Sequence, residues 1–109
     1  KAGKDDLRYS PAVEVLKRLE ADDYEILAFD PTVKENLTQL ASTVIMDDPY
    51  GCVNGADALI VLTEWKDFKL LDMKAVAKSM RNANLIDTRN IFNRNEMEKI
   101  GFTYVGMGV

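Results

Sequence analysis

Apolar runs of strand length alternate with helical patterns along most of this chain. Ser10 is a good N-cap and Pro11 suits the first helical position, so a helix is predicted over residues 11–21. Its apolar residues recur at three-residue spacing and form one buried stripe, because side chains three or four residues apart share a face of a helix. The members of this stripe are Val13, Leu16 and Leu19.

The remaining elements follow from the same periodicities and from cap and stop signals. Short helices are predicted over residues 33–40, after Asp48-Pro49, after Asp72, and from Asn93 to Gly101. The most apolar segment, Ala58–Leu62, is typical of a parallel strand covered on both faces. The predicted strands span residues 25–29, 43–46, 58–62, 84–86 and 102–105.

This alternation predicts an α/β fold with a Rossmann-like, doubly wound, mostly parallel sheet in a three-layer αβα arrangement. The 109 residues suit a single domain over residues 1–109. The chain opens on a polar loop, and in such a fold a loop of this kind follows the first strand. In the common strand order that strand lies at the centre, between the strands predicted here at 25–29 and 58–62. We therefore expect a longer polypeptide, or a strand of another chain, to fill the central position.

The composition argues against several classes of function. Fourteen Lys and Arg stand against 18 Asp and Glu, for a net charge of −4, which argues against general nucleic-acid or membrane-surface binding. Histidine is absent, so no histidine base or zinc ligand exists in this chain, and we expect no metal site. A single cysteine excludes an internal disulfide framework. Without a membrane-length apolar run or a signal peptide, a cytoplasmic location is expected.

Ligands of open α/β sheets lie beyond the carboxyl ends of the strands. By that rule Lys1, Arg8 and Arg89 could converge on one edge of an otherwise acidic domain, as a diphosphate would require. Arg8 could equally form an internal ion pair with Asp5 or Asp6 that shapes the opening loop.

Other strand-end residues also have two interpretations. Asp30 could receive a ribose hydroxyl or could simply end its strand with Pro31, and Glu64 is more often a solvated charge than a catalytic acid. Cys52 has no basic neighbour in the sequence to activate its thiol. The glycine-rich dinucleotide fingerprint is absent, which disfavours NAD binding by this chain.

Four segments carry a resemblance to a known family. They resemble, in order and spacing, the C-terminal UDP-sugar-binding domain of the nucleotide-sugar 6-dehydrogenases, the UDP-glucose/GDP-mannose dehydrogenase family. The similarity covers almost the whole chain. The segments are Lys1-Ala-Gly-Lys-Asp-Asp-Leu-Arg-Tyr-Ser-Pro11, Phe29-Asp-Pro31, Gly55-Ala-Asp-Ala-Leu-Ile-Val-Leu-Thr-Glu-Trp65 and Asp87-Thr-Arg-Asn-Ile-Phe92.

The resemblance implies that Lys1 and Arg89 contact the nucleotide-sugar, while Asp6 and Arg8 shape the pocket. It implies oxidation of the sugar C6 alcohol to a carboxylate in two NAD-dependent steps, through a cysteine thiohemiacetal. That cysteine and the NAD loop belong to other parts of the family's chain, and Cys52 does not match the cysteine motif. The implied partners are a UDP-sugar, the NAD-binding and central helical domains of the same polypeptide, and further copies in a homo-oligomer.

By this resemblance the fragment supplies substrate binding, contributes no catalytic residue, binds no NAD itself and is inactive alone. UDP-glucose is the first expected substrate, followed by UDP-N-acetylmannosamine or another UDP-HexNAc, and then GDP-mannose. Two alternatives belong to other classes. One is a phospho-receiver-like domain, which needs an acidic Mg²⁺ pocket and a lysine where this chain has Arg89. The other is a structural oligomerisation module.

Overall fold

The computed structural model describes residues 11–107. Within them the chain divides after Cys52 into two compact units. The first contains helix α1 (Pro11–Ala21), strands β1 (Leu27–Phe29) and β2 (Val44–Met46), and most of helix α2 (Pro49–Val53). Strand β1 pairs with β2 in parallel, from Leu27 opposite Val44 to Phe29 opposite Met46.

Helix α1 has the predicted bounds. It buries Ala12, Val13 and Leu16, while Leu19 is half-buried, so the predicted stripe is confirmed with its centre shifted toward the start of the helix. Helix α2 is also confirmed. The Asp48 carboxylate accepts hydrogen bonds from the amides of Tyr50 and Gly51, both at 3.2 Å, which satisfies donors that the first helical turn leaves unpaired.

The helix predicted over residues 33–40 is wrong, because this segment is irregular, with a bend at Glu35 and a turn at Thr38 and Gln39. The Asp30 carboxylate accepts from both the amide and the hydroxyl of Thr32, at 2.8 and 2.6 Å, which closes a local turn. Asn36 accepts from the amide of Ile45 at 2.7 Å. Asp and Asn side chains here bond backbone and hydroxyl donors in a non-helical arrangement, which competes with helix formation.

A carboxylate near the end of α1 fixes the entry to β2. Glu20 accepts from the amides of Ala41, Ser42 and Thr43 at 2.9, 2.8 and 2.6 Å, and from the Thr43 hydroxyl at 2.7 Å. These donors lower the pKa of Glu20 from 4.5 to about 2, with the Thr43 hydroxyl contributing most and the Ser42 amide next. Hydrogen bonds to the ionised form favour it.

This lowered pKa predicts a pH-dependent contribution to stability. A carboxyl group whose pKa falls on folding stabilises the folded state above its unfolded pKa, and that contribution is lost as pH falls through the folded value. Glu20→Gln should therefore lower the melting temperature near neutral pH, and the difference from the wild type should shrink between pH 4.5 and about 2. Glu14→Gln, on the exposed side of the same helix, is the control. A difference that stays constant down to pH 2 would contradict this assignment.

The second unit contains a three-stranded parallel sheet in the order β3 (Leu59–Val61), β4 (Asn84–Asp87), β5 (Thr103–Gly106). Helices α3 (Met73–Ser79) and α4 (Arg94–Ile100) connect these strands. A 3₁₀ helix over Lys66–Leu70, which the sequence did not predict, precedes α3. The core of this unit consists of Val53, Val61, Met73, Val76, Met80, Leu85, Met97, Phe102 and Tyr104.

The caps of this unit agree with the sequence signals. Asp72 accepts from the amide of Ala75 at 3.2 Å at the start of α3, and Asn93 accepts from the amide of Glu96 at 3.0 Å at the start of α4. Gly101 ends α4 with φ of 123°, a backbone conformation that favours glycine. Gly101 thus ends α4 two residues before β5 begins.

The α/β fold class is confirmed, since every strand pair between residues 11 and 107 is parallel and helices separate the strands except between β1 and β2. The strand neighbours observed are β1-β2 in the first unit and β3-β4-β5 in the second. The central strand itself, and the extent of the domain over residues 1–109, stay predictions. No helix between residues 11 and 107 has the length and apolar character of a membrane span.

Candidate functional site

The carboxyl ends of β3 and β4 are joined by hydrogen bonds from the segment that follows β4. Thr88 donates to the carbonyl of Val61 twice, from its amide at 3.2 Å and from its hydroxyl at 2.5 Å. Because Val61 is the last residue of β3, this contact fixes the backbone just before Arg89. The backbone that leads into the candidate site is therefore held to the sheet by hydrogen bonds.

Arg89 presents its guanidinium beside Glu64, which follows β3. The Nε and Nη2 groups both donate to Glu64 Oε1, the first at 3.0 Å. Both side chains are about half-exposed, and an ion pair of this kind adds only about 0–1 kcal/mol to stability. Among residues 11–107 no hydrogen bond engages Nη1. Glu64 thus occupies the Nε–Nη2 edge, and its contacts leave Nη1 and the second hydrogen of Nη2 for a bidentate phosphate.

Beneath Arg89 lies a buried carboxylate. Asp87, at the end of β4, is completely buried. One oxygen accepts from the Arg89 amide at 3.2 Å, and the other accepts from the Phe92 amide and the Tyr104 hydroxyl, both at 2.8 Å. The pKa of Tyr104 is raised to about 12, chiefly by burial and then by its bond to Asp87. Tyr104 therefore stays protonated, and it acts as a donor.

The next residue ties this segment to β5. Asn90 has φ of 56°, a left-handed conformation that asparagine tolerates better than most residues. Its side chain donates to the carbonyl of Met107 at 2.5 Å and accepts from the amide of Met107 at 3.0 Å. Residues 87–92, which we call the strand-end loop, are consequently held by both neighbouring strands.

The predicted site residues are only partly covered by the structure. Lys1, Asp6 and Arg8 lie outside the described residues, so their roles stay predictions. Arg89 lies at the predicted strand end, next to Glu64. In the first unit, Asp30 is buried and its carboxylate is used by Thr32 within its turn. That contact supports the interpretation of Asp30 as a strand stop.

Cys52 does not have the environment of a nucleophile. Burial, with the charge of Asp48 in addition, raises the pKa of its thiol to about 11. Only the thiolate attacks an aldehyde or a disulfide readily, and at neutral pH this thiol stays protonated.

We expect Cys52→Ser in the full-length protein to leave kcat within about threefold of the wild type. A loss of several orders of magnitude at an unchanged melting temperature would contradict this.

No cluster of three or more His, Cys, Asp or Glu side chains suited to a metal ion occurs within residues 11–107. No G-x-G-x-x-G fingerprint, the loop that holds the NAD pyrophosphate, occurs within residues 11–107, and the assignment of NAD to another domain stays a prediction. A groove of about 370 Å³ lies away from Arg89, between α3 and α4, and includes Ala83 and Gly101, which precede β4 and β5. We therefore place the candidate site at the carboxyl ends of the strands and not in this groove.

The sequence profile described as "UDP-glucose/GDP-mannose dehydrogenase family, UDP binding domain" matches residues 1–94. The chain belongs to this family. The match includes the ends of β3 and β4 with Glu64, Asp87 and Arg89. It decides between the classes considered above in favour of the UDP-sugar dehydrogenases, of which this chain is the C-terminal, UDP-binding domain.

Relatives similar over the whole chain are dehydrogenases. The UDP-glucose 6-dehydrogenases of Rhizobium meliloti (strain 1021) and Pseudomonas aeruginosa (strain PAO1) are each 36% identical to it, over 109 and 115 residues. The UDP-N-acetyl-D-mannosamine dehydrogenase of Methanocaldococcus jannaschii is 33% identical over 111 residues. Each comparison covers 99% of this chain but 25% of the relative, so the chain spans about a quarter of their length.

A solved structure has the same fold. The UDP-D-ManNAc dehydrogenase of Pyrococcus horikoshii superimposes with a TM-score of 0.55 at 22% sequence identity, over 89% of this chain and 30% of that one. At this identity the likeness concerns the fold alone. It agrees with the parallel α/β arrangement found in both units.

The sequence patterns did not predict that two residues, Asp87 and Tyr104, hold the strand-end loop. Asp87 was noted only as a member of the strand-end segment, and Tyr104 only as part of a strand. A signal did exist for Asp87: it follows the buried Leu85 by two residues, and residues two apart in a strand face the same side. For Tyr104 no sequence signal links its hydroxyl to a carboxylate 17 residues away.

Proposed function

We propose that the chain is the UDP-sugar-binding domain of an NAD-dependent UDP-glucose 6-dehydrogenase, which converts UDP-glucose to UDP-glucuronate. The observation that carries the proposal is the Arg89 guanidinium at the carboxyl end of a parallel sheet, where Glu64 occupies its Nε–Nη2 edge and leaves Nη1 unused. Planar guanidinium groups match the geometry of phosphate oxygens and remain charged at all physiological pH values.

In this proposal Arg89 contacts the diphosphate, and Lys1 contacts the same nucleotide-sugar from the opening segment, with Asp6 and Arg8 shaping the pocket. Gripping the nucleotide away from the reacting carbon uses remote binding energy to orient the sugar, which raises the rate of a step that occurs elsewhere. This chain's own residues bind and orient, and none of them supplies a nucleophile or a base.

The rest of the enzyme is also part of the proposal. NAD supplies the hydride acceptor, and we assign its binding to the N-terminal domain of the same polypeptide rather than to this chain. A central helical domain would join the two, and a homo-oligomer is expected. We accordingly expect the 109 residues by themselves to show no NAD reduction.

A second substrate is favoured by a specific observation. One relative, that of Methanocaldococcus jannaschii at 33% identity, is named for UDP-N-acetyl-D-mannosamine rather than UDP-glucose. UDP-ManNAc, or another UDP-HexNAc, is therefore the alternative sugar for the same UDP site. Both alternatives share the diphosphate and the uridine that this domain would hold.

Steady-state assays of the full-length protein with NAD test the proposal and separate the two substrates. We expect turnover with UDP-glucose at a kcat/KM well above that for UDP-ManNAc, and competitive inhibition by UDP. The opposite preference would replace the substrate but keep the UDP site. Absence of both turnover and UDP binding, at an unchanged melting temperature, would overturn the proposed function.

A further inference from the structure

The buried carboxylate of Asp87 holds the strand-end loop at two points of its backbone. Its three hydrogen bonds come from the Arg89 amide, the Phe92 amide and the Tyr104 hydroxyl. Two of these donors belong to the backbone of the loop, three residues apart. The Tyr104 hydroxyl also lies 3.1 Å from the Phe92 carbonyl, so the same tyrosine meets both the carboxylate and the loop.

A completely buried carboxylate is unusual without a cation beside it. Among residues 11–107 no lysine or arginine forms an ion pair with Asp87. Burying a charge is costly unless hydrogen bonds replace its water shell, and here they come from the loop itself. A neutral apolar residue would avoid this cost but could not hold the Arg89 and Phe92 amides. The carboxylate therefore specifies the path of the loop.

The path of the loop determines where the Arg89 side chain begins. Thr88, the residue before Arg89, donates to the Val61 carbonyl at the end of β3. The Asp87 carboxylate accepts from the Arg89 amide itself. A side chain on an otherwise exposed segment thus starts from a backbone held on both sides. Preorganisation of this kind lowers the entropy that a ligand contact must overcome.

We propose that Asp87 and Tyr104 are positioning residues that set the Arg89 guanidinium for the diphosphate of the bound nucleotide. The inference rests on the proposed function, because it assumes that Arg89 contacts the ligand. It goes further in assigning affinity to two buried side chains that do not themselves reach the nucleotide.

Two variants remove these contacts separately. In Asp87→Asn the single amide oxygen can keep the Phe92 amide and the Tyr104 hydroxyl, but the NH₂ group then faces the Arg89 amide, donor against donor. Tyr104→Phe keeps the buried ring, over which the Arg94 guanidinium lies at 5.1 Å, and removes only the hydroxyl. Asp57→Asn is the matched control, since it loses the same charge before β3, where Asp57 bonds Arg81 and Asn82.

The decisive experiment is a double-mutant cycle in the full-length protein, with UDP affinity measured by calorimetry. We expect Asp87→Asn to weaken UDP binding about tenfold and Tyr104→Phe about threefold, while Asp57→Asn changes it less than about twofold. In the Arg89→Ala background, both losses should fall below about twofold, because the side chain that they position is gone. In turnover assays KM should rise while kcat stays within about threefold.

The outcomes separate this inference from the function on which it rests. If Arg89→Ala weakens UDP binding but the losses from Asp87→Asn and Tyr104→Phe persist in full beside it, the positioning role is overturned and the proposed function stands. If Arg89→Ala leaves UDP binding unchanged, the assignment of Arg89 fails and the inference fails with it. Should Asp87→Asn not fold, Tyr104→Phe carries the same test, because it leaves the charge and the ring in place.

Discussion

Leu85→Ala is expected to lower the free energy of unfolding by about 2–5 kcal/mol, the range for leucine-to-alanine changes in well-packed cores. Leu85 is 0% exposed and lies on the central strand of the three-stranded sheet. In register it stands between Leu59 of β3 and Tyr104 of β5. Its removal leaves a cavity that neither neighbouring strand can fill without breaking parallel pairing.

The matched control is Leu70→Ala, at the end of the 3₁₀ helix. Leu70 is 81% exposed, so the same change of side chain should alter stability by no more than about 0.5 kcal/mol. Denaturant unfolding of the full-length protein, followed by a probe in this domain, measures both. Equal effects at the two positions would contradict the packing described for the second unit.

Arg89→Ala is expected to weaken the binding of UDP-glucose about tenfold or more. Hydrogen bonds to charged groups contribute about 1.5–3 kcal/mol each, and 1.4 kcal/mol corresponds to a factor of ten in affinity. Arg89→Lys should recover only part of the loss, because one ammonium group cannot reproduce the planar fork of donors. The dissociation constant of the full-length protein, measured by calorimetry, gives both values.

Arg81→Ala is the control for loss of positive charge. Arg81 is exposed, pairs with Asp57 at 3.2 Å and precedes β4, at the opposite end of the strand from Arg89. Its removal should leave UDP-glucose affinity within about twofold. Equal losses in the Arg81 and Arg89 variants would indicate a general charge effect rather than a site at the strand ends.

Much of the fold was predictable because local signals and burial agree. The Ser10-Pro11 start, the Asp48-Pro49 turn, and the caps at Asp72 and Asn93 each precede a helix that the structure contains. The strands were found as apolar runs, although β1, β2 and β3 are shorter than predicted, β4 is one residue longer and β5 is shifted by one residue. The parallel direction of β3, β4 and β5 followed from the helices between them, whereas β1 and β2 are parallel with no helix between them.

The segment over residues 33–40 was not predictable in the same way. Its apolar spacing is compatible with a helix, but its backbone is set by contacts with residues before and after it, such as Asn36 with the Ile45 amide. The 3₁₀ helix at Lys66–Leu70 was missed because it has few cap signals and no buried residue of its own. Tertiary hydrogen bonds overrode weak local preferences in the first case.

For the candidate site, the structure has Arg89 beyond a strand end as expected, while its contact with a phosphate stays a prediction. The rule that ligands lie beyond parallel strand ends selected the segment after β4, and a guanidinium there suits phosphate. The Asp87–Tyr104 and Asn90–Met107 contacts could not be predicted, because each joins residues 17 apart that share no local pattern. The sequence therefore indicated the Arg89 side chain but not the hydrogen bonds that hold its loop.

The central claim is that Arg89 binds the diphosphate of UDP, and comparison of UDP with uridine tests it most directly. Calorimetry on the full-length protein should give a clear affinity advantage of UDP over uridine in the wild type. In Arg89→Ala this advantage should shrink about tenfold or more, while uridine affinity stays within about twofold. An advantage of UDP over uridine that is the same in both proteins would contradict the account.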